Sequence, residues 1–339
     1  MLKESIKVNR LELRNRIVMP PMATGKADHG MPDENLAAYY AARAEATGLI
    51  IVEHEYVSPE GMAHGNQLSM ADDSVIPAYQ KLTAAVHEHG AAIFAQISHA
   101  GALAQDSGLP AISPSGISIW DKVAETQTMT QADIDRVKEC FVSAAVRAKS
   151  AGFDGVEIHS AHGYLLNQFY SPLTNHRTDA YTGQTLDGRT RLHTEILKAM
   201  REAVGSDYPI AIRFGACDYM EGGSRKEEIP TACRIFAEAG ADLLDISGGF
   251  NGFMIKGVTE PGWFSDLSAL SKQNVAIPVL VTGGIKTAED AERILHSGAA
   301  DLIGVGRAML MTEDWSVIAI SRNRPFLSLT KRANLHILG

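Results

Sequence analysis

Cysteine is scarce in this chain of 339 residues, with three in all, Cys140, Cys217 and Cys233. Their number is odd and no two stand at C-x-x-C spacing. That excludes a disulfide framework, a structural zinc and an iron–sulfur cluster as first readings and leaves reduced, mostly packed thiols. No apolar run reaches the ~18 residues of a membrane-spanning helix, and the opening MLKESIKVNR lacks the apolar stretch of a secretory signal. A soluble, cytoplasmic protein without a membrane partner is expected. Positive charge is also short. Against 40 Asp and Glu stand 31 Lys and Arg, a net charge of −9, which repels polyphosphate and argues against nucleic acid as a partner. With 45% hydrophobic and 21% charged residues, the chain is ordinary globular material, neither disordered nor fibrous.

What is present is a rhythm. Short β-rich apolar runs at 17–19, 49–52, 92–95, 156–158, 210–214, 243–246, 279–281 and 302–305 alternate with helical patterns such as 35–47, 74–88 and 189–204. Thr130 is placed to cap a helix running to about Ser150. Eight consecutive strand–helix units predict an α/β protein of the closed (β/α)8 TIM-barrel kind, and one α/β barrel accounts for the length as well as two or three ~150-residue domains would. No repeat, low-complexity tract or linker-like shift divides the chain, so residues 1–339 are expected to form a single domain. Two long stretches interrupt the rhythm, one rich in Gly, Pro and Ser after strand three and one at 160–188 after strand four. Loops beyond ~15 residues in a compact domain are usually lids or binding loops, and both of these cap the same rim.

In such a barrel the active site is built at the C-terminal strand ends. Here those ends carry Pro20, Pro21, Met22, Ala23 and Thr24, then Glu53 and His54, Gln96 and His99, and His159, His162 and Tyr164. Arg213, Asp245, Ser247, Gly283, Gly284, Gly306 and Arg307 follow from strands five to eight. The ends of strands seven and eight are the usual phosphate site of the fold: glycines admit backbone N–H groups to an oxyanion, a following helix start adds its dipole, and Arg307 offers a bidentate contact. Gly283, Gly284, Gly306 and Arg307 form the expected phosphate cradle. Taken singly, such glycines would be only turn residues. His159-x-x-His162 has the look of a metal pair, but no third ligand and no H-E-x-x-H pattern accompanies it, so no metal is expected. Two imidazoles with Tyr164 two residues on suit a grip on a carbonyl oxygen and a proton donor, the bland alternative being a satisfied loop histidine.

These residues resemble the Old Yellow Enzyme family of flavin-dependent ene-reductases in its single-barrel form. The matching stretches are RNRIVMPPM at 14–22, GLIIVE at 48–53, Gln96 with His99-Ala100-Gly101, GFDGVEIHSAHGYLLN at 152–167, SPLTNHRTD at 171–179, DYMEGG at 218–223 and GVGR at 304–307. The resemblance implies bound FMN, with Pro21, Met22 and Ala23 lining the flavin through backbone and His54 beside its ring. It further implies Gln96 and Arg213 at the pyrimidine edge and the FMN phosphate at Gly283, Gly284, Gly306 and Arg307. His159 and His162 would hold a substrate carbonyl oxygen, and Tyr164 would give the proton. Ala23 stands where many single-barrel relatives carry a cysteine that tunes the flavin, Pro20 replaces a small polar residue, and the loop at 181–189 is one residue longer than the usual pattern.

The activity so implied is reduction of FMN by NAD(P)H and then, in the same cavity, reduction of the C=C bond of an enone-type small molecule, a ping-pong scheme. Alternatives are a dienoyl-thioester reductase or amine-oxidising flavin barrel, a phosphate-ester aldolase or isomerase barrel, and a flavin-binding module without catalysis. An aldolase would want a Schiff-base lysine at a strand end, and none is there. Some relatives insert a C-terminal arginine into a neighbouring subunit's site. Arg322, Arg324 and Arg332 are available for that in a homo-oligomer.

Overall fold

Residues 6–13 alternate apolar and polar side chains around an Asn-Arg pair, the pattern of a tight hairpin. In the computed structural model, which describes residues 1–118 and 126–321, β1 (Ile6–Val8) and β2 (Leu11–Leu13) pair antiparallel there, with Asn9 at a φ of 55° in the turn. The Asn9 amide donates to Asp242 Oδ1 at 3.0 Å and to the Ser206 carbonyl at 2.8 Å, which pins the hairpin to the barrel.

The remaining strands follow as β3 (Ile17–Met19), β4 (Leu49–Ile51), β5 (Glu55–Tyr56), β6 (Leu68–Ser69), β7 (Ala92–Ser98), β8 (Ala111–Ser113), β9 (Thr126–Thr128), β10 (Gly155–Ser160), β11 (Ile210–Gly215), β12 (Leu243–Ser247), β13 (Val279–Thr282) and β14 (Leu302–Gly304). All-parallel pairing runs β3, β4, β7, β10, β11, β12, β13, β14 and back to β3, closing the predicted eight-stranded barrel. Around it lie α1 (Glu34–Ala44), α2 (Ile76–His87), α3 (Gln131–Ser150), α4 (Leu165–Tyr170), α5 (Leu186–Val204), α6 (Ile229–Glu238), α7 (Ser265–Lys272), α8 (Ala288–His296), α9 (Arg307–Met311) and α10 (Trp315–Ser321). Thr130 caps α3 as its sequence predicts, in a reciprocal box with Asp133.

Strand alternation sorts the core in two. Outward residues such as Ile50, Ile93, Val156 and Ile212 pack on Tyr79, Phe141, Ile196 and Phe236 of the helices. Inward residues Val18, Leu49, Phe94, Leu243, Leu280 and Leu302 form a separate cluster with Val8 and Leu13, so the hairpin plugs the floor of the barrel. Above this apolar plug the interior turns polar, with Gln96, Glu157, Arg213 and Asp245, all buried.

Several boundaries differ from the sequence reading. β7 and β10 each run on past the expected ends, because Gln96-Ile-Ser98 and His159-Ser160 keep the strand alternation. Gln96 and His159 are therefore strand residues rather than loop residues. The stretch at 160–188 is not wholly irregular: it holds α4, whose six residues are all buried and so show no amphipathic period. The two long loops are fastened together, since Arg177 Nη1 donates to the carbonyls of Pro114 at 2.9 Å and Met129 at 2.6 Å, and His176 N–H donates to Ser115 Oγ at 2.8 Å.

Candidate active site

β10 ends in a sequence that delivers three ring side chains to one place. His159 points inward from the strand, His162 follows in a turn at a φ of 57°, and Tyr164 precedes α4. The ring centroids of His159 lie 5.1 Å from His162 and 4.9 Å from Tyr164, both edge to face. His54, from the end of β4, completes the group at 6.4 Å from His159 and 5.4 Å from Tyr164. Phe253 of the loop after β12 reaches His162 at 6.1 Å from above.

The electrostatics keep these groups neutral. Burial lowers His159 and His162 well below the ordinary histidine range, and the neighbouring imidazoles and Arg213 push in the same direction. His54 is brought down to about 3, chiefly by burial and then by His64 and Arg213. Burial raises the Tyr164 phenol, so it holds its proton. His162 Nε2 shares a hydrogen bond with Ser247 Oγ at 2.8 Å, whereas the buried Nδ1 of His159 has no partner. Neutral imidazoles and an intact phenol can grip an oxygen and give a proton. The loop-histidine reading holds in part for His162 and not for His159.

Beneath them, Gln96 Nε2 donates to Glu157 Oε1 at 2.7 Å, and Arg213 Nε stands 3.3 Å from Asp245 Oδ2, within ion-pair distance but out of hydrogen-bond alignment. Burial pushes both carboxyls up, and Arg213 pulls them back. Glu157 is a site residue that the sequence reading missed, although it lies inside a matched stretch; its signal is the inward register it shares with Gln96 on the adjacent strand.

At the opposite side of the mouth, Gly283 and Gly284 have φ values of 148° and 67°, conformations that favour glycine. The Trp263 ring lies across them: a Cβ on Gly284 would stand 2.7 Å from its Nε1. The Arg307 guanidinium sits 4.9 Å over the same ring and, among the described residues, pairs with no carboxylate. Gly306 packs beside Met22 and Pro20, where a Cβ would come 3.2 Å from Met22 Sδ. Pro21 is half-buried and Ala23 exposed on the same rim. Trp263, 20 residues from Gly283 in sequence, is a second residue the sequence reading missed, because nothing in spacing links the two.

A cavity of about 770 Å³ lies on the flank of the rim, lined by residues other than this cluster. Of its three lining arginines, Arg177 is paired with Asp179 and Arg189 with Glu228, and Arg225 is the third. Among the described residues no group of three or more His, Cys, Asp or Glu is placed to hold a metal, and no helix is long and apolar enough to cross a membrane. Arg322, Arg324 and Arg332 lie outside the described residues.

The sequence profile of the NADH:flavin oxidoreductase / NADH oxidase family matches residues 2–325. The chain belongs to that family. It is 41% identical over 320 residues to an NADH oxidase of Thermoanaerobacter brockii, covering 91% of this chain and 49% of that protein, so it spans about half of that relative's length. An NADPH dehydrogenase of Geobacillus thermodenitrificans is 38% identical over 91% of this chain and 90% of its own length. Among solved structures, the old yellow enzyme homologue from Zymomonas mobilis superposes with a TM-score of 0.84 at 28% identity, over 95% of this chain and 93% of that one. The expected resemblance to the Old Yellow Enzyme family is thereby borne out, and with it FMN as the family's cofactor and NAD(P)H as its reductant.

The residues of this family member fit the cofactor. Three buried polar atoms without hydrogen-bond partners, Arg213 Nε, Thr282 Oγ1 and Trp263 Nε1, lie around the mouth from β11 to β13, the first of them within ion-pair distance of Asp245. Thr282 and the backbone beside it are kept close by Gly304, whose Cβ would lie 1.9 Å from that hydroxyl. Donors without hydrogen-bond partners on both sides of the mouth, with a guanidinium on one side that meets no carboxylate among the described residues, suit a flat ring carrying a phosphate.

Proposed function

We propose that the barrel is one FMN-binding unit of a cytoplasmic NAD(P)H-dependent ene-reductase that acts on α,β-unsaturated carbonyl compounds by a ping-pong scheme. The observation that carries this reading is the convergence of His159, His162 and Tyr164, all neutral, on one spot at the C-terminal strand ends. Gly283, Gly284, Gly306 and Arg307 would hold the phosphate. Gln96 and Arg213 would meet the pyrimidine edge, and the backbone of Pro21, Met22 and Ala23 would line the ring. FMN, once bound and reduced, supplies hydride to the β-carbon of the acceptor.

The protein's own task is the other end of the double bond. His159 and His162 each present an N–H to the carbonyl oxygen and stabilise the enolate charge that grows there. When Ser247 donates to Nε2 of His162, the proton of that ring is left on Nδ1 and free for the oxygen. Tyr164 gives its proton to the α-carbon; burial, which weakens the phenol as an acid, keeps that proton in place until an enolate is present.

Anaerobic stopped-flow absorbance tests the reading. NADH or NADPH is expected to bleach the flavin, and a cyclic enone to restore its colour with formation of the saturated ketone. Flavin that bleaches but is never reoxidised by enones would overturn the proposal. Tyr164→Phe is expected to slow the enone step at least tenfold while a quinone, which needs no proton on carbon, still reoxidises the flavin.

A further inference from the structure

His54 carries more information than its place beside the ring cluster. The Ala63 N–H donates to Gln67 Oε1 at 2.6 Å. A backbone N–H needs an acceptor, so this contact settles which end of the Gln67 amide is oxygen. The Nε2 end therefore donates, to Nδ1 of His54 at 2.6 Å and to the His54 carbonyl at 3.2 Å, with Ser98 Oγ at 3.4 Å. An amide nitrogen has only hydrogens to offer, which makes Nδ1 of His54 the bare nitrogen and puts the single ring proton on Nε2.

That Nε2 faces the Tyr164 hydroxyl at 3.5 Å, with the two rings at 81°. Since Nε2–H is a donor, the phenol oxygen has to accept. Its own hydrogen must then point away from His54, and it finds no acceptor among the described residues.

We propose that Gln67 and His54 are positioning residues for Tyr164: Gln67 keeps Nδ1 of His54 bare, His54 Nε2–H occupies a lone pair of the Tyr164 oxygen, and the phenol hydrogen is thereby directed at the substrate α-carbon. The inference rests on the reading of Tyr164 as proton donor. In the step itself the Tyr164 O–H bond breaks and its electron pair stays on oxygen. A C–H bond forms at the α-carbon from the enolate's π pair, and the carbonyl is restored. The phenolate left behind accepts the hydrogen bond of His54 Nε2–H until solvent returns a proton. Without that donor, a phenolate in a buried site is expensive. Sequence could not show this, because Gln67 and Tyr164 stand 13 and 110 residues from His54 and meet it only through the strand ends.

The test is Gln67→Glu, whose carboxylate accepts where the amide donated and so draws the His54 proton onto Nδ1, leaving Nε2 bare toward Tyr164. In FMN-loaded protein carrying 15N-histidine, the wild type is expected to show His54 with a bare Nδ1 and a protonated Nε2, and Gln67→Glu the reverse. The ratio of enone to quinone reoxidation rates is expected to fall at least tenfold in Gln67→Glu and in His54→Phe, which keeps a ring without the N–H. A protonated Nδ1 in the wild type overturns the proposal. So does an unchanged ratio in both variants, or an equal loss with both acceptors, which would mean a damaged site rather than a misdirected proton. Should the wild type reduce quinones but no enone, the ene-reductase reading fails by itself, and the nitrogen resonances still decide the tautomer pair for or against.

Discussion

Arg307, proposed to meet the FMN phosphate, has no answering carboxylate among the described residues; its guanidinium rests on Trp263 and reaches Met254 Sδ at 3.8 Å. A charge-assisted contact is worth ~1.5–3 kcal/mol, so Arg307→Ala is expected to weaken FMN binding at least about tenfold in a fluorescence titration. Unchanged affinity would place the phosphate elsewhere. The residues that sequence reveals are those close in the chain: His159, His162 and Tyr164 lie within one short segment, and Gly306 adjoins Arg307. Those it hides are joined only through space. Trp263 meets Gly283 from another loop, Glu157 meets Gln96 across a strand pair, and Gln67 meets His54 from 13 residues further along the chain.

At the scale of elements, the loops that frame the site are held by one carboxylate. Asp218, after β11, accepts from Ser171 Oγ at 2.6 Å, Ser224 N–H at 2.8 Å and Phe250 N–H at 2.9 Å, so it ties the loops following β10, β11 and β12. Gly249 must be small beside it, since a Cβ there would lie 2.1 Å from Asp218 Oδ1. Asp218→Asn turns an amide N–H toward at least one of these donors and is expected to cost about 3 kcal/mol in urea unfolding, with faster proteolytic cutting near residues 218–224. Elements with a periodic face are legible in the sequence: α3, with its Thr130 cap, is found where expected. The hairpin β1–β2 is harder to read although Ile6, Val8, Leu11 and Leu13 alternate around Asn9, because three-residue strands fall below the length at which a pattern stands out.

For the whole molecule, the buried histidines bear on acid stability. His193 is fully buried, bonds Ser160 Oγ at 2.7 Å, and is held down to about 3 by burial. An unfolded chain would take up that proton near pH 6.5 whereas the folded chain refuses it until about 3. Its contribution to stability is therefore complete above pH ~6.5 and is lost at ~1.4 kcal/mol per unit as pH falls toward the folded value. Urea unfolding at pH 7, 6 and 5 is expected to show a slope in His193→Gln that is shallower than the wild type's by up to that amount, since His54, His159 and His162 add slopes of their own. A slope that the substitution leaves unaltered would assign the acid sensitivity to other groups.

Val8 and Leu13, by stoppering the floor of the barrel, leave traffic a single doorway among the described residues. On the ene-reductase reading, the nicotinamide that arrives with electrons and the enone that collects them must queue at that doorway and stand by turns on the same spot. Each is then expected to act as a competitive inhibitor toward the enzyme form that awaits the other, so turnover should fall when either one is supplied in large excess. Initial-rate measurements at crossed concentrations would reveal parallel lines at low levels and mutual obstruction at high ones. A vessel open at both ends would let one visitor leave as the next came in, and no such obstruction would develop.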